Sequence, residues 1–487
     1  MERVAASLRN KIVDPEDAAR LVPRGGAVAF AGMGGTAYSK AFVKALKDRA
    51  EREGPLDLAV YSAGTTGPEH EESLAAAGIR RRIPYGASSP ATKRLVNEGG
   101  FEACDMSLYK YSRLLRLGVI GVVDVAVVEA TAVFDDGLVL SNSVDAAPAM
   151  VEAAEKVVVE VHTAKPVLHG LHDIFYPEPG RGVPPLESVA GRLGSRLLKI
   201  PWSKLAAIVL SREGEVGSRH YRPPDSMDAR VAENIAEFLR GEAQRDPRIR
   251  GRLSTLQPGA GLVATVLADY SGDLGFRVRI WGEVAPIQWV ARLGENVEAV
   301  SASVVYSVSG DEGLWSWFFS DYGELSGRLV LRPYEVTNSP EVLTRFYHMV
   351  VQQAIEVDIY GHANVSHIDS RLYAGVGGSV DHAWSSYLTI LALPSITSKG
   401  IPRIVPLTAH VDSTEHDVDV IVTEQGWADL RGLSPRERAE SIIDCCAHPS
   451  YADGLRRYLE KAGREGGHQP YSLEAVLEFM REYGKGG

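Results

Sequence analysis

Five apolar runs mark the first half of the chain: AVAFAG (27–32), LDLAVYS (56–62), VDVAVVEA (123–130), KVVVEV (156–161) and LAAIVLS (205–211). Runs that stay apolar on both sides of the pleat belong to strands covered on both faces, as in a parallel sheet. Between them lie segments of helical period, such as SKAFVKALKDRAEREG and AAPAMVEAAE. Strands alternating with helices predict an α/β fold with mostly parallel sheets. The polar stretch REGEVGSRHYRPPDS (212–226) interrupts the pattern and predicts a boundary. A long helix (RVAENIAEFLRGE) follows it, then a second series: FRVRIWG, AVSASVVYSV, RLVLRPYEV, EVDIYG, SYLTILAL, RIVPLT and VDVIVTE. The last segments, PRERAESIIDCCA, YADGLRRYLEKAG and LEAVLEFMREYG, read as helices. The expected organisation is two α/β domains, residues 1–218 and 219–487.

The halves echo each other once. DVAVVE (Asp124 to Glu129) matches DVIVTE (Asp419 to Glu424), and each Glu is followed eight residues later by a glycine, Gly137 and Gly432. Chance and a relation between two α/β domains both account for this. In open α/β folds ligands sit outside the carboxyl ends of the strands. Glu129, Glu424 and Glu283, each read as ending a strand, are therefore expected beside a cleft.

In FRVRIWGEVAP (276–286) the strand pattern breaks at Gly282, which puts Glu283 on an elbow within the otherwise uncharged WGEVAPIQWV. A lone carboxylate there is a nucleophile, a general base or a salt-bridge partner. A nucleophile needs N–H donors for the oxyanion formed by its acyl partner. Two glycine turns offer N–H donors, for such an oxyanion or for a phosphate or other anion. In LQPGAGLVATVL (256–267), Gly259 and Gly261 precede an apolar helix; in YAGVGGSVDH (373–382), Gly375, Gly377 and Gly378 precede Ser379 and Asp381. Both turns also fit a packing role. LTAHVDSTEHDVDVIVTEQGWADLRGLSPRERA (407–439) is dense in His, Asp and Glu, but its H-x-D-x-x-x-H lies in a loop rather than on one helical face, so no metal site is expected.

Composition narrows the function. The 487 residues are 45% hydrophobic and 24% charged, an ordinary globular balance. A net charge of −11 argues against nucleic acid or an anionic membrane as the main partner. It leaves room for a small anionic ligand in a local pocket. No apolar run approaches the ~18–20 residues of a membrane span, and MERVAASLRNKIV has no apolar core of a leader peptide. Cys104, Cys445 and Cys446 fit neither a disulfide framework nor a zinc spacing, so a cytoplasmic setting is expected.

GRLSTLQPGAG, WGE, SGRLVLRPYEVTNSPE, EVDIYGHANVSH, GVGGSVD and TEHDVDVIVTEQGWADLRGLSPRERA resemble the acetyl-CoA hydrolase/transferase family of class I CoA-transferases, in particular its succinyl-CoA:acetate branch. The first loop, AVAFAGMGGTAYSKAF, and VVEATAVFDDGLV follow that branch in order. The resemblance implies two open α/β domains of the class I CoA-transferase type, with no permanently bound cofactor. Coenzyme A is a substrate, acyl-CoA and small carboxylic acids are the partners, and a homodimer is the assembly. It implies that Glu283 attacks the acyl-CoA carbonyl, and that the CoA thiolate then converts the anhydride to a glutamyl-CoA thioester, which the second acid resolves. Glu424 and Asn338 fall on the family's other active-site positions. Its CoA contacts fall on Gly259, Ala260, Gly261, Leu262, Val263, Gly378 and Lys399. Its boundary arginine falls on Arg219, with Arg222 as rival. The chain departs from the branch in AYSK (37–40) for a GYPK-like turn, in YGHAN (360–364) for YGNVN, and in GGSVDH (377–382) for GGSGDF, where Val380 replaces a glycine. An acyl-CoA hydrolase using the same glutamate, and a noncatalytic CoA-binding module, are the competing functions.

Overall fold

A computed structural model describes residues 3–86, 89–177, 184–213, 222–251, 255–308 and 311–484. Arg219 and most of the expected linker lie outside them. The fold is α/β, and the chain divides into two compact units built from interleaved segments. One holds 1–222, 279–343 and 372–381; the other holds 223–278, 344–371 and 382–487. The first switch between the units comes after Arg222. The chain then returns, so Glu283 belongs to the same compact unit as the first 222 residues.

In the first unit the strands run in the order Glu102–Ala103, Ile79–Ile83, Leu58–Ser62, Ala27–Phe30, Val123–Phe134, Ala154–His162, Leu205–Ser211. Every neighbouring pair is parallel. All five apolar runs of the first half are in this sheet. Val28, Phe30, Val60, Val125, Val127 and Val158 pack with Phe42, Val43 and Leu46 of the helix Ala41–Glu53. Each fully buried side chain of this kind contributes about 1.5–3 kcal/mol.

The segment 279–343 adds the run Leu329–Leu331, Val297–Tyr306, Val278–Pro286. It is tied to the N-terminal part by bridges from Ser143 to Val304 and from His172 to Leu331, and by the buried ion pair Arg332–Asp173. The run RLVLRPYEV is strand only over Leu329–Leu331. Pro333 has no N–H for a ladder, and Tyr334–Thr337 turn into a short helix that delivers Asn338.

In the second unit Thr255–Gln257, Met349–Gln353, Leu388–Ala392 and Val420–Val422 are parallel, and Trp427–Asp429 closes the edge antiparallel. The helix Ser226–Arg245 starts with an Asp225/Asp228 capping box, and Pro435–Cys446 with a Ser434/Glu437 box. With Pro449–Glu465 and Leu473–Tyr483 these are the expected helices. No helix among the described residues is long and apolar enough to cross a membrane.

Candidate active site

The strand carrying Glu283 does not break at Gly282. It runs Val278–Pro286, and Glu283 lies inside it, 6% exposed. The elbow reading therefore fails. Trp281 donates from its indole nitrogen to the Thr337 carbonyl at 2.9 Å, which fixes the strand against the segment leading to Asn338.

Around Glu283 the first unit assembles three parts. Asn338 donates from Nδ2 to Glu283 Oε2 at 3.1 Å, while its Oδ1 accepts from the Thr337 hydroxyl at 2.8 Å. Gly378 donates its backbone N–H to the carboxylate. A Cβ at residue 378 would stand 1.8 Å from Glu283 Oε2 and 2.3 Å from Asn338 Nδ2, so only glycine leaves room for the carboxylate. Asp381 is the third, with its Oδ2 3.2 Å from the same Asn338 nitrogen. Burial drives the Glu283 carboxyl up to about 8 from its ordinary 4.5; the Asn338 and Gly378 hydrogen bonds oppose this, and the Asp381 charge adds to it.

The glycine loop is moored within the same unit. Val376 N–H donates to Asp105 Oδ2 at 2.7 Å, and the Gly377 carbonyl accepts from Leu108 N–H at 3.2 Å. A Cβ on Gly375 would meet the Tyr85 carbonyl oxygen at 1.9 Å, and Gly377 has φ +59°. Val380 needs no left-handed conformation, because it lies in the helix Ser379–Ser385.

Glu129 is also not at a strand end. Its strand continues to Phe134, and the carboxylate is buried against Lys40 Nζ at 2.7 Å and Lys165 Nζ at 2.6 Å. Burial alone would raise its pKa, but Lys165 and Lys40 outweigh it and hold the carboxyl well below the usual range. This is an internal ion cluster rather than the wall of a cleft.

The remaining expected CoA positions and Glu424 belong to the second unit. The parallel strands Thr255–Gln257, Leu388–Ala392 and Val420–Val422 end on one edge of its sheet. Gly259–Val263, Lys399 and Glu424 each follow one of these strands. Gly259 (φ +80°) has no room for a Cβ, which would sit 2.3 Å from the Val351 carbonyl oxygen. Gly261 (φ +99°) opens the helix Leu262–Leu267, and Leu262 and Val263 are buried. Lys399 is exposed in the turn Thr397–Ile401. Glu424 accepts from the Ser395 N–H at 2.8 Å and from the Ser395 hydroxyl. Ahead of the strand Val420–Val422, His410 pairs with Asp412 at 3.1 Å, and no group of three or more metal-ligating side chains is assembled among the described residues. Arg222 is exposed.

Asp381 and the segment from Asp105 to Tyr109 were not selected from the sequence. Asp381 stood in the quoted glycine loop, but no spacing linked it to a carboxylate 98 positions away in the chain.

The N-terminal domain of the acetyl-CoA hydrolase/transferase family matches residues 2–182, and its C-terminal domain matches residues 311–459. The chain is 35% identical to a succinyl-CoA:acetate CoA-transferase of Clostridium kluyveri, over 99% of this chain and 90% of that protein. It is also 35% identical to an acetyl-CoA hydrolase of Eremothecium gossypii, over 96% and 94%. RipA from Yersinia pestis shares the fold with a TM-score of 0.70 at 22% identity, covering 93% of this chain and 97% of RipA. An α/β sheet system, a buried carboxylate between an asparagine and a glycine N–H, and full-length similarity agree: the chain is an enzyme of the acetyl-CoA hydrolase/transferase family.

Proposed function

We propose that the enzyme moves coenzyme A between a short-chain acyl-CoA, of the acetyl or succinyl kind, and a free carboxylic acid such as acetate. Glu283 is the nucleophile. Its oxygen bonds to the acyl carbon, the C–S bond breaks, and the electron pair leaves on the CoA thiolate. The thiolate then attacks the Glu283 carbonyl, the first acid departs as carboxylate, and Glu283 is held as a thioester. The second acid attacks this thioester, and the steps run in reverse. Covalent capture keeps the thioester's free energy from water.

One observation supports this reading above others. Glu283 is buried without a Lys or Arg partner among the described residues, and its neighbours are two N–H donors and an anion. A carboxylate serving only as a structural salt-bridge partner would have a cation, as Glu129 does. The Asn338 and Gly378 donors are suited to a developing oxyanion, and loss of one such donor typically costs about 10²–10³ in rate. Gly259–Val263 and Lys399 are assigned to CoA, Glu424 to the catalytic set with Asn338, and Arg219 or Arg222 to the distal carboxylate of succinyl-CoA. Arginine suits that role because it binds carboxylates bidentately. The names of the relatives divide between transfer and hydrolysis, so a hydrolase ending on water is the second reading.

The test is to load the enzyme with acyl-CoA in the absence of acceptor and treat it with borohydride, which reduces thioesters and spares free carboxylates. Inactivation with the modification at Glu283 is expected; full resistance, or a label at Glu424, refutes the assignment. Ping-pong exchange with acetate against steady release of free CoA separates transferase from hydrolase. Replacing the correct arginine by Ala weakens succinyl-CoA far more than acetyl-CoA, whereas equal losses for both arginines remove that assignment.

A further inference from the structure

Asp381 has no part in the chemistry above, yet it is the second anion of the site. Its Oδ2 accepts from Asn338 Nδ2 at 3.2 Å and from the Tyr109 N–H at 3.0 Å, and the Ser107 side chain also hydrogen-bonds to the carboxylate. It is 9% exposed. Tyr109 stands in the first turn of the helix Leu108–Arg116, whose Leu108 N–H holds the glycine loop. The same short segment therefore positions both Asp381 and the loop bearing Gly378.

Asn338 carries two amide hydrogens, and two carboxylate oxygens lie in contact with its nitrogen, at 3.1 Å (Glu283) and 3.2 Å (Asp381). Those oxygens are thus within 6.3 Å of each other, the length of the path through Nδ2. The far end of the amide is fixed by the Thr337 hydroxyl, itself 2.7 Å from Ser303 Oγ. The amide is held at three points and presents NH₂ to both acids.

We propose that Asp381 is a positioning residue for Glu283. It acts through Asn338, holding the amide NH₂ toward Glu283 and keeping a second negative charge on the same nitrogen. The inference rests on the reading of Glu283 as nucleophile. While Glu283 is ionised, two anions share one amide. When its oxygen bonds to the acyl carbon and the C–S pair leaves on sulfur, the negative charge moves off the Glu283 oxygens and onto the sulfur. Asp381 then keeps its own hydrogen bond from the amide, and the other amide hydrogen serves the developing oxyanion. An interaction unfavourable to the free carboxylate and relieved during bond formation favours the transition state over the ground state.

The titratable groups bearing on Glu283 are few. Asp381 faces it from the helix Ser379–Ser385, and Tyr334, which feels the Glu283 charge, lies on the helix leading to Asn338. On the far side of the loop Asp105 is tied to the Val376 and Met106 N–H groups. Burial raises the Asp381 carboxyl to about 6, with its Ser107, Tyr109 and Asn338 hydrogen bonds opposing the rise. It is therefore ionised over the range in which Glu283 titrates.

Asp381→Asn keeps the shape and an acceptor but removes the charge; Asp381→Ala removes the acceptor as well. In the Asp381→Asn enzyme the acid limb of kcat/KM for acyl-CoA moves down by roughly half a unit to two pH units, the range for charges ~6 Å apart between bulk water and a protein surface. The Asp381→Ala enzyme loses about 10- to 100-fold in kcat with little change in KM. The double variant Asn338→Ala/Asp381→Ala is no slower than Asn338→Ala alone, because Asp381 acts through that amide. An unmoved acid limb in Asp381→Asn, or multiplying losses in the double variant, overturns the inference. Borohydride trapping of the wild-type enzyme judges the nucleophile separately: a wild type that traps at Glu283 while the Asp381→Asn limb stays fixed refutes only the role of Asp381.

Discussion

Replacing Glu283 with Gln removes the proposed nucleophile and, above neutral pH, stabilises the protein. The Glu283 carboxyl is almost fully buried, with a folded pKa near 8 against an ordinary 4.5. Below about 4.5 it is protonated in both folded and unfolded chains, and pH does not act on it. From there to about 8 the unfolded chain gives up the proton and the folded chain keeps it, so each step in pH favours unfolding. Above about 8 both are ionised and the penalty is constant. At ~1.36 kcal/mol per pH unit the interval amounts to at most about 5 kcal/mol. Gln has one acceptor where the carboxylate has two, so either Asn338 or Gly378 loses its partner, at about 1–2 kcal/mol. The net gain at pH 9 is about 3 kcal/mol.

Paired thermal melts of the wild type and Glu283→Gln at pH 5 and pH 9 read this out. At pH 5 the two melt together, or the variant slightly lower. At pH 9 the variant melts higher by roughly 3–6 °C, given the shallow dependence of Tm on free energy in a chain this long. A gap independent of pH refutes the reasoning, since it would show that Glu283 titrates alike in the folded and unfolded states. A variant less stable at both pH values would show that hydrogen bonding of the carboxylate outweighs its burial.

Gly378→Ala places a Cβ 1.8 Å from Glu283 Oε2; we expect at least ~100-fold loss of kcat, and near-wild-type turnover would refute the proposed constellation. Lys399→Ala raises KM for acyl-CoA more than it lowers kcat, because an exposed cation contributes uniform binding to an anionic substrate; a KM unchanged across salt concentrations removes that assignment. Glu129→Ala removes the carboxylate shared by Lys40 and Lys165, which are both buried, and lowers stability by about 3–5 kcal/mol in urea titration; a loss below ~1 kcal/mol would mean that their remaining hydrogen bonds to Tyr38, Ser141 and Asn142 suffice.

The framework of this fold was legible because its strands are covered on both faces. LAAIVLS is a strand over the whole of 205–211, and VDVAVVEA lies within Val123–Phe134. Apolar runs without alternation mark parallel strands directly, whereas the Asp225 cap lies inside the stretch read as a boundary, so the helix starts at Ser226, ahead of RVAENIAEFLRGE. What misled was the meaning of punctuation. Gly282 looked like a break, but a glycine can sit within a ladder when neither neighbour turns the chain, and Pro286 is the residue that ends this strand. The site was less legible than the fold. Glu283, Asn338 and Gly378 come from three segments whose proximity no local period encodes, and only the resemblance joined them. Asp381 escaped even that, because its partner is an amide reached through tertiary packing.

The internal echo carries the comparison further. Asp124 accepts from the Ala27 N–H at 2.7 Å, and Asp419 accepts from the Thr389 N–H at 2.8 Å. In each unit an aspartate opening a strand caps the first residues of the parallel strand beside it, and this structural half of the motif is the same in both. The glutamate five residues on is not. Glu129 sits between two buried lysines, whereas Glu424 is bound by neutral donors of Ser395 and remains partly exposed. Glu283 makes a third case, with neutral donors on one side and an anion on the other. A carboxylate held by two cations is ionised at every working pH and too well stabilised to attack a carbonyl. One held by amide N–H groups and opposed by a neighbouring charge is costly to ionise and gains most from giving its charge away. The neighbours, rather than the strand-then-glutamate pattern, therefore distinguish Glu129, an internal ion pair, from Glu283, and they are what supports the proposal of Glu283 as nucleophile.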